Sequence, residues 1–314
     1  MVKSDFIDYK YIERTHIDAS FPINSLVTIA ICTNKISYLK KYFLNYYRNI
    51  LVDEINIIIV FDDKTTELLL QIVEELKSDF ITIVLNEHNK GLSYSRNKVL
   101  DICKTQYVIF VDDEVTFTTN EVAIIGKELF DSRNNIVGCF ISGPIAGLKI
   151  PFYISPGQLH YLGIHNEYDK KKIPWGAFVG IDLYFCKVNN IKFNFKLGRY
   201  NTGLQSGDDT TFIFEIQKAG GKVSFIENCV VYHNIDTHRI RLPYLVKRVY
   251  WQGKSEVLRD NAINGLKKEI SRYLQVQHTS IFKIYFLAII FSSIFIIGMV
   301  YQYLINGINS LRFR

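Results

Sequence analysis

The chain has no glycine where its first apolar stretch ends. Leu26 to Cys32 runs without a charge, and the residues that follow are Thr33, Asn34 and Lys35. A dinucleotide-binding strand and turn needs glycines at that point so that the backbone can approach a pyrophosphate, and a P-loop needs a glycine-rich run closed by Gly-Lys-Ser/Thr. Neither pattern occurs, which disfavours both common ways for an α/β sheet to hold a nucleotide. Cysteine is equally thin. Cys32, Cys103, Cys139, Cys186 and Cys229 form no CxxC pair and no metal-type spacing. An odd number lying mostly in apolar runs reads as reduced core thiols on a cytosolic side. The first residues lack a charged-then-apolar leader pattern, and there is neither an internal repeat nor a low-complexity segment.

What is present is enough for a full core. The 314 residues are 48% hydrophobic and 14% aromatic, which excludes a disordered chain. The net charge of +6 is unevenly spread: residues 239–283 carry ten Lys/Arg against three Asp/Glu, leaving residues 1–238 at about −3. Basic character confined to one part argues for one basic face and against a generally nucleic-acid-binding surface; no nucleic-acid partner is expected. From Ile284 to Ile305 about 22 residues lack a formal charge, enough for one bilayer crossing.

Apolar runs at 26–32, 55–61, 80–85 and 107–111 read as strands buried on both faces. Helical patterns lie between them, through Leu39, Phe43 and Tyr47, from Thr65 to Leu76, and from Ser93 to Cys103, with Ser93 a good N-cap. This alternation implies βαβ units and a mainly parallel sheet. Beyond it a helix is expected near 122–130 and a strand at 136–141. An irregular region follows, then a strand from Phe178 to Cys186, a helix from Asp208 to Ala219, and two short strands, 223–226 and 229–232, leading to His233.

Three carboxylates, Asp112, Asp113 and Glu114, close the fourth strand. Unpaired carboxylates are too costly to bury, so they meet water, a cation or a ligand that brings one; ligands of open α/β sheets bind beyond the strands' carboxyl ends. Asp62 and Asp63 end the second strand the same way, either as a capped turn or as acceptors for a base or ribose. Asn89, Gly91 and Arg96 mark a turn and helix start that would suit a phosphate or be an ordinary capped surface helix. Asp208 and Asp209, after Gly207, open a helix, as a cap or as a catalytic pair.

In this order, the first strand, the Asp62–Asp63 strand end, Asn89-x-Gly91 with Arg96 and Asn97, and Phe110 to Glu114 resemble a family 2 glycosyltransferase of the GT-A fold. The runs Trp175 to Phe178 and Gly207 to Phe212 resemble its downstream motifs, and the likeness covers roughly Ser25 to His233. It implies an inverting transferase that takes a nucleotide-diphosphate sugar, a UDP-sugar foremost, with Mn²⁺ or Mg²⁺ as cofactor. Thr33, Asp62, Asp63, Asn89, Gly91, Arg96, Asp112 and Asp113 would then face the donor. Asp113, Glu114 and His233 would be the candidate metal ligands, His233 being either a ligand or a structural residue. Glu114 stands where the family's motif ends in Asp, so its contact with the cation is direct or through water. Asp209 would be the general base, with Asp208 beside it. Trp175 and Gly176 would lie on the acceptor or sugar side, Trp175 either stacking on a sugar or packing beneath a loop.

The expected organisation is a lead-in at 1–24, a GT-A domain at 25–238, a basic, aromatic helical segment at 239–283, a transmembrane helix at 284–305 and a short tail. The fold class is α/β, with a mixed, mainly parallel sheet flanked by helices. Lys247, Arg248 and Lys254 alternate with Tyr244, Tyr250 and Trp251, which suits an anionic membrane surface or a solvated helix on the core. Basic residues ahead of the apolar segment place the catalytic domain in the cytoplasm of a single-pass cell-membrane protein; an in-plane or buried helix is the alternative. The acceptor would be a lipid-linked or cell-surface glycan. A rival reading is a catalytically silent member that binds nucleotide or scaffolds a glycan-assembly complex.

Overall fold

Side chains along the runs 27–33, 56–61 and 107–111 alternate between two faces that are both buried, so each of these runs feeds two cores. The computed structural model describes residues 23–43, 54–144, 149–165, 172–274 and 281–312. Most of the expected lead-in, and Tyr47 of the first helical pattern, fall outside them.

Eight strands form one sheet in the order β3-β2-β1-β4-β7-β6-β8-β5. β1 (Val27–Thr33), β2 (Asn56–Phe61), β3 (Ile81–Leu85) and β4 (Tyr107–Val111) are mutually parallel. β7 (Phe178–Asp182) runs antiparallel to both β4 and β6 (Ile136–Ser142). β8 (Val223–His233) is parallel to β6, and the two-residue β5 (Val115–Thr116) pairs antiparallel with the end of β8, setting Val115 opposite His233. That last pairing brings Glu114 and His233 together.

On one face, Ile29, Ile31, Ile57 and Ile59 pack under α1 (Glu67–Glu75) and α3 (Thr119–Asp131), which supply Leu69, Ile72, Val122 and Ile125. On the other, Ala30, Val60, Val108 and Phe110 meet α2 (Leu92–Ile102), α4 (Leu183–Val188) and α5 (Asp208–Lys218). The α1 helix starts on Thr66, whose hydroxyl accepts from Leu69 N–H, and α3 on a Thr118–Glu121 capping box.

Three expectations are corrected. Ser93 is not the cap of α2: Gly91 is, at φ +95°, while the Ser93 hydroxyl donates to Leu197 O at 2.7 Å. The stretch from Phe178 to Cys186 is not all strand, because Asp182 caps Phe185 N–H and starts α4. The two short strands near the end are one, β8, with an irregular pairing opposite Cys139 and Phe140.

The C-terminal helices α6 (Leu242–Leu258), α7 (Ala262–Leu274) and α8 (Ile281–Arg312) build a third core with the 3₁₀ turn Pro156–Leu162. Tyr273 stacks on Phe291 at 5.1 Å. Where α6 crosses α8, a Cβ on Gly253 would lie 2.1 Å from Phe295 O, and one on Gly298 would lie 2.1 Å from Tyr250 O. Only glycines allow backbones this close. Tyr285–Ser310 of α8 is long and apolar enough to cross a membrane, with a mean hydropathy of 2.0. Only 28% of it is buried, so it is not an ordinary core helix. Its free side carries Tyr285, Ile289, Ile296, Ile297, Val300 and Leu304. The 3.6-residue period places Tyr244, Arg248 and Gln252 on the opposite, inward side of α6. Lys254 is buried too, with its ammonium 4.0 Å above the Trp251 ring and 4.7 Å above Tyr301. Of the basic residues expected to face lipid on α6, Lys247 alone is exposed.

Candidate active site

The carboxyl ends of β1, β2 and β4 open into a cavity of about 460 Å³. Its lining includes Thr33, Asp62, Asn89, Arg96, Asp112, Asp113, Glu114, Trp175, Gly176, Asp208, Asp209 and His233, all candidates from the sequence. Asp63 and Gly91 are not in the lining. Asp63 is exposed and, among the described residues, accepts only from Lys64 N–H.

Asp62 is buried and organises the turn ahead of α2. Its carboxylate accepts from Asn86 Nδ2 at 2.7 Å, Lys90 N–H at 2.8 Å and Gly91 N–H at 2.7 Å. Asn89 donates to Asp62 O and accepts from Asn201 N–H. Leu92 N–H, one of the first free donors of α2, is taken by Arg199 O at 2.9 Å. These bonds use the amides expected to receive a phosphate.

Arg96 points inward and ties the two acidic motifs together. It donates to Asp208 Oδ2 at 2.7 Å, to Gly176 O at 2.9 Å and to Asp112 Oδ1 at 3.4 Å. Gly176 has no side chain because a Cβ there would lie 2.6 Å from the guanidinium. Burial would lower the Arg96 pKa, but Asp208, Asp112 and Asp209 more than offset it and hold the group charged. Burial pushes Asp208 up, with Arg96 opposing. Its neighbour Asp209 is less enclosed. Asp209 Oδ2 accepts from Gly176 N–H at 3.0 Å and Oδ1 from Thr210 N–H at 2.7 Å, which fixes the carboxylate in the cavity wall.

Asp113 accepts a short hydrogen bond from the Thr33 hydroxyl. Burial, with Glu114 and Asp112 close by, pushes its carboxyl up to about 7. Glu114 differs. It is buried between His233 Nε2 at 2.9 Å and the Arg239 guanidinium, whose Nη2 reaches Oε2 at 2.9 Å. Burial alone would raise it, but His233 and Arg239 bring it down to about 2. His233 Nδ1 meets Leu162 O at 2.9 Å, so both ring nitrogens have partners within the fold. Among the described residues no group of three or more His, Cys, Asp or Glu is arranged to hold a metal ion.

Trp175 gives one face to His165, stacked at 3.9 Å and 17°. His165 Nδ1 accepts from Ile141 N–H, so its Nε2–H donates to Ile173 O.

Arg239 was not among the sequence candidates, nor were Arg199, Tyr244, Arg248 and Arg272, which line the same cavity. Arg199 had no such signal, while the local excess of Lys/Arg after residue 238 was a visible signal for Arg239, Arg248 and Arg272. Which face they take depends on how α6 and α7 pack back on the sheet.

Comparison with known proteins places this geometry. Residues 28–187, about half of the chain, match the family described as Glycosyl transferase family 2. The succinoglycan biosynthesis protein ExoM of Rhizobium meliloti is 23% identical over 203 residues, 63% of either chain; the match thus spans just under two thirds of that protein's length. The glucosyl-dolichyl phosphate glucuronosyltransferase of Haloferax volcanii is 21% identical over 79% of this chain and 82% of its own. Among solved structures, the mannosyltransferase PcManGT from Pyrobaculum calidifontis, in complex with GDP-Man and Mn²⁺, shares the fold. The TM-score is 0.55 at 12% identity, covering 88% of this chain and 86% of that one.

Proposed function

Because the chain belongs to glycosyl transferase family 2, whose members move a sugar to an acceptor, we propose that it is a membrane-anchored, inverting transferase. Its donor is a nucleotide-diphosphate sugar, a UDP-sugar foremost, and its acceptor a hydroxyl of a lipid-linked or cell-surface glycan. The observation that carries the reading is the Arg96 bridge. It sets Asp112, at the end of β4, beside Asp208 and Asp209, at the start of α5, in one cavity.

Thr33, Asp62, Asn89 and Asp112 form the side that receives the nucleotide. The donor set beside them suits a hard cation: two carboxylates, Asp112 and Asp113, face the cavity, and Mg²⁺-type sites commonly use one or two carboxylates and complete the shell with substrate phosphates. Asp112 and Asp113 would hold Mn²⁺ or Mg²⁺, which supplies charge neutralisation for the departing diphosphate. Glu114 is bonded to both His233 and Arg239, and the three serve to brace that strand end. Asp209 is the general base. The acceptor oxygen forms its bond to the anomeric carbon as the carbon–oxygen bond to the diphosphate breaks. The nucleoside diphosphate leaves with that electron pair, and the acceptor's proton passes to the Asp209 carboxylate. A single displacement of this kind inverts the anomeric centre. Trp175, with one face stacked on His165, offers its remaining edge to a sugar, and Gly176 holds Asp209 in place.

PcManGT is described with a nucleotide sugar and Mn²⁺, which supports the donor class. The free apolar side of α8 supports a single-pass anchor, and the positive residues ahead of it support a cytoplasmic catalytic domain. A panel of UDP- and GDP-sugars incubated with the purified full chain, with and without EDTA, tests the reading through nucleoside diphosphate release. Release of UDP or GDP that EDTA abolishes is expected. Folded protein that neither binds nor turns over any donor would instead favour a silent scaffold.

A further inference from the structure

The loop that carries the chain into Asp208 and Asp209 is held by α6. Residues 203–207 have no regular secondary structure, and Gly207 turns the chain into α5 at φ +85°. Ser206 is gripped twice. Its N–H donates to Ser255 Oγ at 3.0 Å and its hydroxyl to Gln252 Oε1 at 2.8 Å. Arg248 adds a bond to Leu204 O at 3.3 Å. On the far side of the acidic pair, Arg259 Nε donates to Thr211 Oγ1 at 3.3 Å. The Arg259 side chain also lies across Gly207, where a Cβ would come within 2.6 Å of it.

Both grips meet at Glu256, a buried carboxylate in the cavity lining. Its Oε1 accepts from Gln252 Nε2 at 2.7 Å and from Arg259 Nη1 at 3.0 Å, and its Oε2 from Asn261 Nδ2 at 2.7 Å. Asn261 is tied in turn to α7, whose Gly265 N–H donates to its carbonyl at 2.8 Å. The helix comes so near that a Cβ on Gly265 would lie 2.6 Å from Glu256 Cγ. The Glu256 side chain is thus backed by α7 and turns its oxygens to the groups that hold residues 206 and 211. Burying a carboxylate requires such partners, and here the same partners grip the loop.

We infer that Glu256 is a positioning residue for the Asp208–Asp209 pair. By orienting Gln252 and Arg259 it fixes the backbone on either side of the pair and so aims the Asp209 carboxylate. A general base has to meet the proton it takes within about 2.6–3.2 Å, and a misplacement of about 1 Å can cost about a hundredfold in rate. A loop holds that tolerance only when other groups lock it. Gly176 N–H, at 3.0 Å from Asp209 Oδ2, fixes the carboxylate from across the cavity, and the α6 grip fixes the chain that carries it. Both Glu256 oxygens are engaged by side chains, so it acts through them and not on the substrate. The inference rests on Asp209 as the base of the proposed function.

The test uses the full chain, the nucleotide sugar that the donor panel turns over, and nucleoside diphosphate release with water as acceptor, at temperatures well below each thermal midpoint. Glu256→Gln keeps the size of the side chain, but it loses the charge facing Arg259 and cannot accept at both positions. It should lower kcat by about 10–10²-fold and leave the donor KM within about twofold. Amide exchange of residues 203–211 should quicken while that of β1 and β4 stays as in wild type. In an Asp209→Asn background the same substitution should cost little more, because its effect passes through that carboxylate. A full repeat of the loss in that background, or faster exchange throughout the chain with kcat unchanged, would reduce Glu256 to a structural residue and overturn the inference. Wild-type kcat in Glu256→Gln beside a slow Asp209→Asn overturns it too and leaves the base reading standing. An Asp209→Asn variant as active as wild type removes the base reading, and the inference falls with it. If Glu256→Gln does not fold, Arg259→Lys keeps the positive charge and gives up the Thr211 bond; a smaller loss in kcat at unchanged KM is expected, and a wild-type rate counts against the inference.

Discussion

Removing the charge on Arg239 tests whether Glu114 is a brace or a metal ligand. Both side chains are only 4% exposed, and Glu114 accepts from Arg239 and His233 at once. Arg239→Met leaves that carboxylate buried with one partner gone, which costs about 3–5 kcal/mol. For a chain of this size the thermal midpoint should fall by roughly 10 °C. Glu114→Gln strands the Arg239 charge instead and should cost a similar amount. The double variant should recover part of the loss, because neither charge is then left alone. Mn²⁺ affinity, measured by calorimetry with UDP present, should fall by less than about tenfold in Glu114→Gln, below the usual loss even for an outer-shell partner of a metal. An unchanged midpoint together with abolished Mn²⁺ binding would refute the bracing role and make Glu114 a ligand.

Asp209→Asn should lower kcat by about 10²–10⁴-fold, the usual weight of a general base, with donor affinity retained; a variant as active as wild type would remove Asp209 from the mechanism. His165 makes stability pH-dependent. Burial lowers its pKa from 6.5 to about 4, so the neutral ring's contribution is complete above pH 6.5 and is lost as the pH falls towards 4. It amounts to about 3 kcal/mol. Urea midpoints between pH 7.5 and 4 should fall more steeply for wild type than for His165→Gln, and equal slopes would contradict this. Gly253→Val should force α6 from α8, lower the thermal midpoint by an overpacking cost of about 1–3 kcal/mol and expose the helix pair to protease; unaltered protease resistance would mean that the crossing is looser than described.

β1, β2 and β4 were legible because they are buried on both faces and read as continuous apolar runs; β3, at the sheet edge, is only half-buried, with Thr82 and Leu85 exposed. The acid-tipped ends of β2 and β4 and the Asp208–Asp209 pair were legible as candidate positions, each with a turn or helix cap as the other reading. Their arrangement was not. Nothing local says that Arg96 turns inward to Asp208, 112 residues away, or that Asp62 spends its carboxylate on the Asn86 to Gly91 turn. Glu114 and His233 were both visible as polar residues at strand ends, and both were expected near a cation. Only the antiparallel pairing of β5 with β8, two residues long, reveals that they bond to each other. Arg239 and Arg248 were visible as part of a basic segment, but a segment's charge does not say which of its faces packs inward. The stop of β7 at Asp182 was missed because apolar Leu183, Phe185 and Cys186 suit a strand as well as a helix, and the deciding feature is the Asp182 cap.

The proposed function requires one cavity to hold the donor's diphosphate against Asp112 and Asp113 and to present its sugar to Asp209. Crystals of the full chain with Mn²⁺ and a UDP-sugar, read by anomalous scattering at the manganese edge, test it most directly. A manganese peak within ligand distance of Asp112 or Asp113 and the diphosphate is expected, with the anomeric carbon facing Asp209. A manganese peak on Glu114 and His233, or a donor lying away from Asp209, would contradict it.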